Sequence, residues 1–75
     1  MADFGSVRYD ITKTLGVLSD DGKWRMELNL VSWNGREAKL DLRKWSPEHD
    51  KMSKGITMSR EEARKLAEIL NETEL

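Results

Sequence analysis

The chain has 75 residues, 37% hydrophobic and 36% charged, with one proline, no cysteine and a formal net charge of −1. This composition describes one small domain and excludes a long disordered tract and a membrane-spanning helix, since no apolar run approaches ~18 residues. Disulfide staples and thiolate metal sites are excluded along with the cysteines.

Four extended segments and one helix can be read in chain order. Residues 7–18 place Val7, Tyr9, Ile11, Leu15 and Val17 on one parity, the period-2 pattern of a half-buried strand, and Gly16 marks a bulge or bend. Ser19-Asp20-Asp21-Gly22 is a turn by composition, leading into a second strand over 23–33. In that strand Met26, Leu28 and Leu30 share one face, while Arg25, Glu27, Asn29, Val31 and Trp33 share the other. Asn34-Gly35 supplies a second hairpin, because both residues tolerate positive φ. The third strand, 37–45, repeats the division, with Ala38, Leu40 and Leu42 opposed to Lys39, Asp41, Arg43 and Trp45.

A polar loop over 46–53 holds the proline, and 54–58 form a short fourth strand. Ser59-Arg60-Glu61-Glu62 is a capping box, in which hydroxyl and carboxylate satisfy each other's backbone N–H groups. It opens a helix with an apolar stripe of Ala63, Leu66, Ala67 and Leu70, ending near Asn71. The expected fold is α+β, an antiparallel four-stranded sheet followed by a C-terminal helix (β-β-β-β-α), one domain with its core over about 7–71. A chain this short buries only about 60% of its unfolded surface. Without disulfides or metal, a partner subunit is the expected support.

The small net charge hides a gradient: residues 1–22 sum to −2, 23–54 to +3 and 55–75 to −2. All three tryptophans, Trp24, Trp33 and Trp45, lie in the positive block. By composition alone, tryptophans filling the core of a small domain is the plainer reading. Parity argues otherwise, since Trp33 and Trp45 fall with Arg25, Asn29, Lys39 and Arg43 rather than with the leucines. That row is expected to be an exposed face. Cations beside flat apolar rings suit single-stranded nucleic acid, whose phosphates need charge and whose unpaired bases need stacking partners.

At the third strand and beyond, a known family comes into view. Asp41-Leu42-Arg43 with Trp45, then a polar loop and Lys54-Gly55-Ile56-Thr57 leading into a helix, resembles the single-stranded-DNA-binding domain of eukaryotic positive cofactor four. Gly22-Lys23-Trp24-Arg25, Val31-Ser32-Trp33-Asn34 and Trp45-Ser46-Pro47 bring it nearer to bacterial YdbC-type members, over roughly residues 22–70. The resemblance implies a homodimer with curved sheets, helices at the subunit contact and single-stranded DNA lying across the sheet. It points to Trp33, Arg43, Trp45 and Lys54 as contact residues. Leu42 stands where the family has isoleucine and Thr57 where it has serine, while Ser53 occupies a position that can be basic.

The resulting expectation is a sequence-tolerant single-stranded DNA-binding protein, resembling a transcription coactivator or regulator, with transcription or repair machinery as candidate partners. Trp33 and Trp45 stack on bases; Lys39, Arg43, Lys54, Arg25 and Lys51 hold phosphates; Asn29 and Asn34 are candidates for base-edge hydrogen bonds, with service in its turn the commoner role for Asn34; Trp24 joins the candidate set. Asp41, set among cations, is expected to orient Arg43 or a neighbouring lysine by a salt bridge. Single-stranded RNA stays open as a ligand, because stacking and phosphate contacts do not read the 2′-hydroxyl. The same Trp/Arg face would also serve a protein-interaction module. No enzyme, cofactor, metal or membrane association is expected: His49, the sole histidine, reads as a solvated loop residue, and no nucleophile–base pair is placed. The Met-Ala-Asp start lacks a signal-peptide pattern, so the expected compartment is the cytoplasm.

Overall fold

The computed structural model describes residues 8–75, so Val7 lies outside the described residues. Residues rich in Thr, Ile and Val form β1 (Tyr9–Asp20), which folds back onto β2 (Arg25–Trp33). Asp21 builds the intervening turn: its carboxylate accepts from the backbone N–H groups of Trp24 (2.8 Å) and Lys23 (2.9 Å), and Gly22 adopts φ 93°. Those two donors hold the Asp21 carboxyl below its ordinary value. Because 21–24 are tied up in this turn, β2 starts two residues later than the sequence pattern indicates.

The second turn closes through Arg36 N–H donating to Trp33 C=O (3.0 Å), with Asn34 at φ 53° and Gly35 at 77°. It leads to β3 (Lys39–Trp45), β4 (Met52–Met58) and α1 (Arg60–Asn71). β4 begins earlier than expected because Met52 already pairs with Trp45. The sheet is antiparallel throughout, in the order β1-β2-β3-β4.

Three register shifts in β1 fall between Ile11 and Lys13, Thr14 and Gly16, and Val17 and Ser19. Each inserts a residue and bends the strand, so the single parity expected for β1 is broken at every one of them. The sheet curls accordingly. Along β2, Arg25 and Trp33 would stand about 26 Å apart in a flat strand at ~3.3 Å per residue. Tyr9 pairs with Trp33, and Trp45 pairs with Arg25 at the other end. Even so, the Tyr9 and Trp45 rings meet at 5.2 Å between centroids.

Curling reverses the expected use of the two faces. The row with the tryptophans becomes the concave side, where Val31, Trp45, Glu27, Asn29 and Asp41 are buried. The leucine row becomes the outer side, and Leu28, Leu30, Leu40 and Leu42 are only half-buried. The expectation that the tryptophan row is an exposed face is therefore corrected. Both halves of the capping box form, at 3.1 and 2.9 Å, and α1 touches the sheet mainly at β3 with no buried residue. Between helix and sheet runs an apolar groove of about 250 Å³, lined by Leu18, Leu40, Leu42, Leu66 and Leu70 among others. Among the described residues no helix is long and apolar enough to cross a membrane.

Candidate nucleic-acid interface

On β3, alternation turns Asp41 and Arg43 to the concave side together. Asp41 is fully buried and takes Arg43 Nε at 2.7 Å and Nη2 at 2.9 Å, a two-point carboxylate–guanidinium pair. Thr57, opposite Asp41 on β4, donates its hydroxyl to Oδ2 at 2.9 Å and fixes the carboxylate in turn. Arg43 Nη1 reaches Ser53 C=O (3.3 Å) and Met52 Sδ (3.4 Å). Its partner across the ladder is Gly55, where a Cβ would lie 2.5 Å from Leu42 C=O and collide with the Arg43 side chain. Glycine there gives the guanidinium its path. The group ends 4.7 Å above the Trp33 ring, a cation–π contact.

The orienting role expected for Asp41 is present in this geometry. It also changes what Arg43 can do. Its side chain is only 12% exposed, its charge is matched by Asp41 and its guanidinium lies against the Trp33 ring.

Trp45 is fully buried, so its expected outward ring is corrected. Tyr9 covers it at 5.2 Å and His49 at 5.6 Å, both tilted. The covering loop is fastened at one residue. His49 adopts φ 62°, its C=O accepts from the Tyr9 hydroxyl at 2.6 Å, and its Nε2 lies 3.0 Å from both oxygens of Glu27. Ser46 closes the loop on itself through Asp50 (2.7 Å) and the Lys51 N–H (3.1 Å). His49 is thus a half-buried structural residue, in place of the solvated one expected.

Burial pushes the Glu27 carboxyl up, but hydrogen bonds from Asn29 and His49 and the nearby Arg25 outweigh it and hold the group below its ordinary value. Asn29 spends its amide on Glu27 at 3.0 Å and is fully buried, so the expectation that it faces a base edge is corrected. Asn34 serves its turn, with Oδ1 accepting from Arg8 N–H at 2.9 Å. Arg25 lies between Asp20 (3.5 Å) and Glu27 (3.6 Å), an internal partner rather than a free cation. Trp24 is half-buried beside the first turn.

The structure gathers Trp33 and Lys39 with Arg36, Glu37 and Thr57 around an open cleft of about 260 Å³. Lys51 and Lys54 are exposed on the β3–β4 loop and β4, away from that lining. Tyr9, Arg36, Glu37, His49 and Thr57 are not among the contact residues expected from the sequence. Glu37 and Thr57 border the alternating rows, but nothing local marks His49, whose position depends on its backbone turning left-handed. Four buried polar atoms, Arg25 Nε, Asn29 Oδ1, Trp33 Nε1 and Trp45 Nε1, have no hydrogen-bond partner among the described residues, and all four belong to this row. Among the described residues no three metal-ligating side chains gather.

Two relationships to other proteins accompany this geometry. Residues 20–69 match the family Transcriptional Coactivator p15 (PC4). A Treponema pallidum (strain Nichols) protein, described as uncharacterized, is 46% identical over 68 residues, covering 89% of this chain and 80% of its own length.

Proposed function

The chain belongs to the Transcriptional Coactivator p15 (PC4) family, a non-catalytic family whose domain is generally a single-stranded-DNA-binding fold, and on that premise we propose how this protein binds such a strand. The strand lies along the mouth of the concave face. One base stacks on Trp33, contributing about 1–3 kcal/mol with little sequence preference. Arg43 stiffens that platform from behind, and Trp45, Tyr9 and His49 shape its floor without touching a base. Lys39 and Arg36 beside the ring, with Lys54 and Lys51 further along, neutralise phosphates and release counterions.

The observation that carries this reading is the Arg43–Trp33 stack, locked by Asp41 and opening onto a cleft with exposed Lys39 and Arg36. A core tryptophan has no need of a guanidinium fixed at two points against its ring. The half-buried leucine face and the uncovered helix stripe support a second copy of the chain as their cover, which makes the working form a homodimer. Two strand sites on one body raise affinity through effective concentration. A transcription-regulator role fits single strands exposed at melted promoters.

Tryptophan fluorescence titrated with oligo-dT and with the matching duplex tests the proposal. The single strand is expected to quench and the duplex to do so far more weakly, because paired bases offer no free face. Superimposable curves would overturn the stacking mechanism. An oligo-U arm measures how far RNA shares the site.

A further inference from the structure

We propose that Glu37 makes the Trp33 cleft selective for guanine among unpaired bases, an inference that rests on the single-strand-binding reading above. The turn at Trp33–Arg36 closes one residue out of step with the β2–β3 ladder, where Val31 pairs with Lys39. Glu37 and Lys39, two residues apart, share a parity, and Arg36 joins them at the cleft from the turn; Glu37 and Lys39 also border the neighbouring hollow at Leu30, Leu40 and Arg60. At about 260 Å³ the cleft lies below the roughly 300–1,000 Å³ that takes a drug-sized ligand, the scale of one base.

The polar lining divides cleanly. Among the described residues the Glu37 carboxylate has no ion pair with Arg36, Lys39 or any other cation. Thr57 has given its only hydroxyl hydrogen to Asp41, so toward the cleft it offers an oxygen lone pair. Two acceptors therefore stand beside the cationic donors of Arg36 and Lys39. Guanine answers both halves of this set. Its N1–H and N2 amino group aim two donors at a single carboxylate, and its O6 and N7 accept from Arg or Lys, the commonest specific side-chain contact to a base. Thymine surrounds its one N–H with two carbonyls that repel a carboxylate. Adenine and cytosine each set one amino group beside a ring nitrogen acceptor, so only one of the two contacts forms.

The test compares oligo-dT with the same strand carrying one central dG, dC or dA, by fluorescence anisotropy at fixed salt. The intact protein is expected to favour the dG strand by about three- to tenfold over oligo-dT, with dC and dA between. Removing a negative charge beside phosphates strengthens every strand, so the readout is the ratio of dG to dT affinity, in which that general effect cancels. In Glu37→Ala and Glu37→Gln this ratio is expected to fall to near one while oligo-dT binding is kept or improved. Binding of single strands with no dG preference, or a preference that survives both substitutions, overturns the role of Glu37 and leaves the strand-binding proposal standing. Failure to bind any strand overturns both.

Discussion

His49 Nε2 sits 3.0 Å from each carboxylate oxygen of Glu27, joining the β3–β4 loop to the middle of the concave face. The contact holds the cover over Trp45, so the charge on Glu27 is linked to stability. Folding lowers the pKa of this carboxyl below its ordinary 4.5. The native state therefore binds fewer protons than the unfolded chain as pH falls below that value. The resulting stabilisation is complete above about pH 4.5 and is lost as pH drops through the lower, folded value. Urea midpoints are expected to decline across that acid range. Glu27→Gln is expected to lose about 1–3 kcal/mol at neutral pH, since Arg25 and His49 lose their anion. The same substitution flattens part of the acid decline; an unchanged pH dependence would show that Glu27 is not its source.

The pairing of Arg43 with Asp41 separates two kinds of cation on the interface. Lys39 is exposed with no ion pair among the described residues, so Lys39→Ala is expected to reduce the steepness of the salt dependence by about 0.7 in the log–log slope. Arg43 is already neutralised by Asp41. Arg43→Lys keeps the charge but loses the planar two-point contact and the stack on Trp33. Its expected signature is weaker binding with an unchanged salt slope, measured by titrations from low to moderate salt. Arg43→Gln, which removes the charge, is expected to leave the slope unchanged as well; a slope that falls in it as it does in Lys39→Ala would identify Arg43 as a phosphate contact.

Some of this arrangement was legible in the sequence and some was not, for identifiable physical reasons. Asn34-Gly35 and Ser59 with Glu62 act over three or four residues, and both features form where the chain places them. Parity in β2 and β3 correctly grouped Arg43, Trp33 and Trp45 on one side of the sheet, because a strand's period of two is set by its own backbone. Parity assigns a face, though, and does not say whether that face meets water. Three bulges in β1 and a loop pinned by His49 turned it into a concavity that encloses Trp45. Those causes are non-local: they need Tyr9 and Glu27 to meet residues 40 and 22 positions away.

Two tryptophans of the same row should therefore respond differently to truncation. Trp45→Ala empties a fully enclosed space beneath Tyr9 and His49, at an expected cost of about 3–5 kcal/mol in stability. Trp33→Ala removes a half-buried ring whose free surface opens on the cleft, and is expected to cost binding by about 1–3 kcal/mol. Denaturation curves and oligo-dT titrations on both variants separate the two effects. Equal affinity losses in proteins that remain folded would return Trp45 to the contact surface.

The outer face supplies the last prediction. Leu18 is 59% exposed, Ile69 52% and Leu70 51%, and the groove between α1 and the leucine row is almost wholly apolar. In a chain of 75 residues such a surface is a large fraction of the apolar matter available to stabilise anything. A second copy would cover it, which links folding to protein concentration: the thermal midpoint should rise as the protein is concentrated. Leu70→Asp places a charge on the stripe without touching the concave face. It is expected to yield a single-chain species in sedimentation equilibrium and to abolish the concentration dependence, with Trp33 still able to stack on one base. Wild-type protein that sediments as one chain at all concentrations, with a constant midpoint, would remove the homodimer from the proposal.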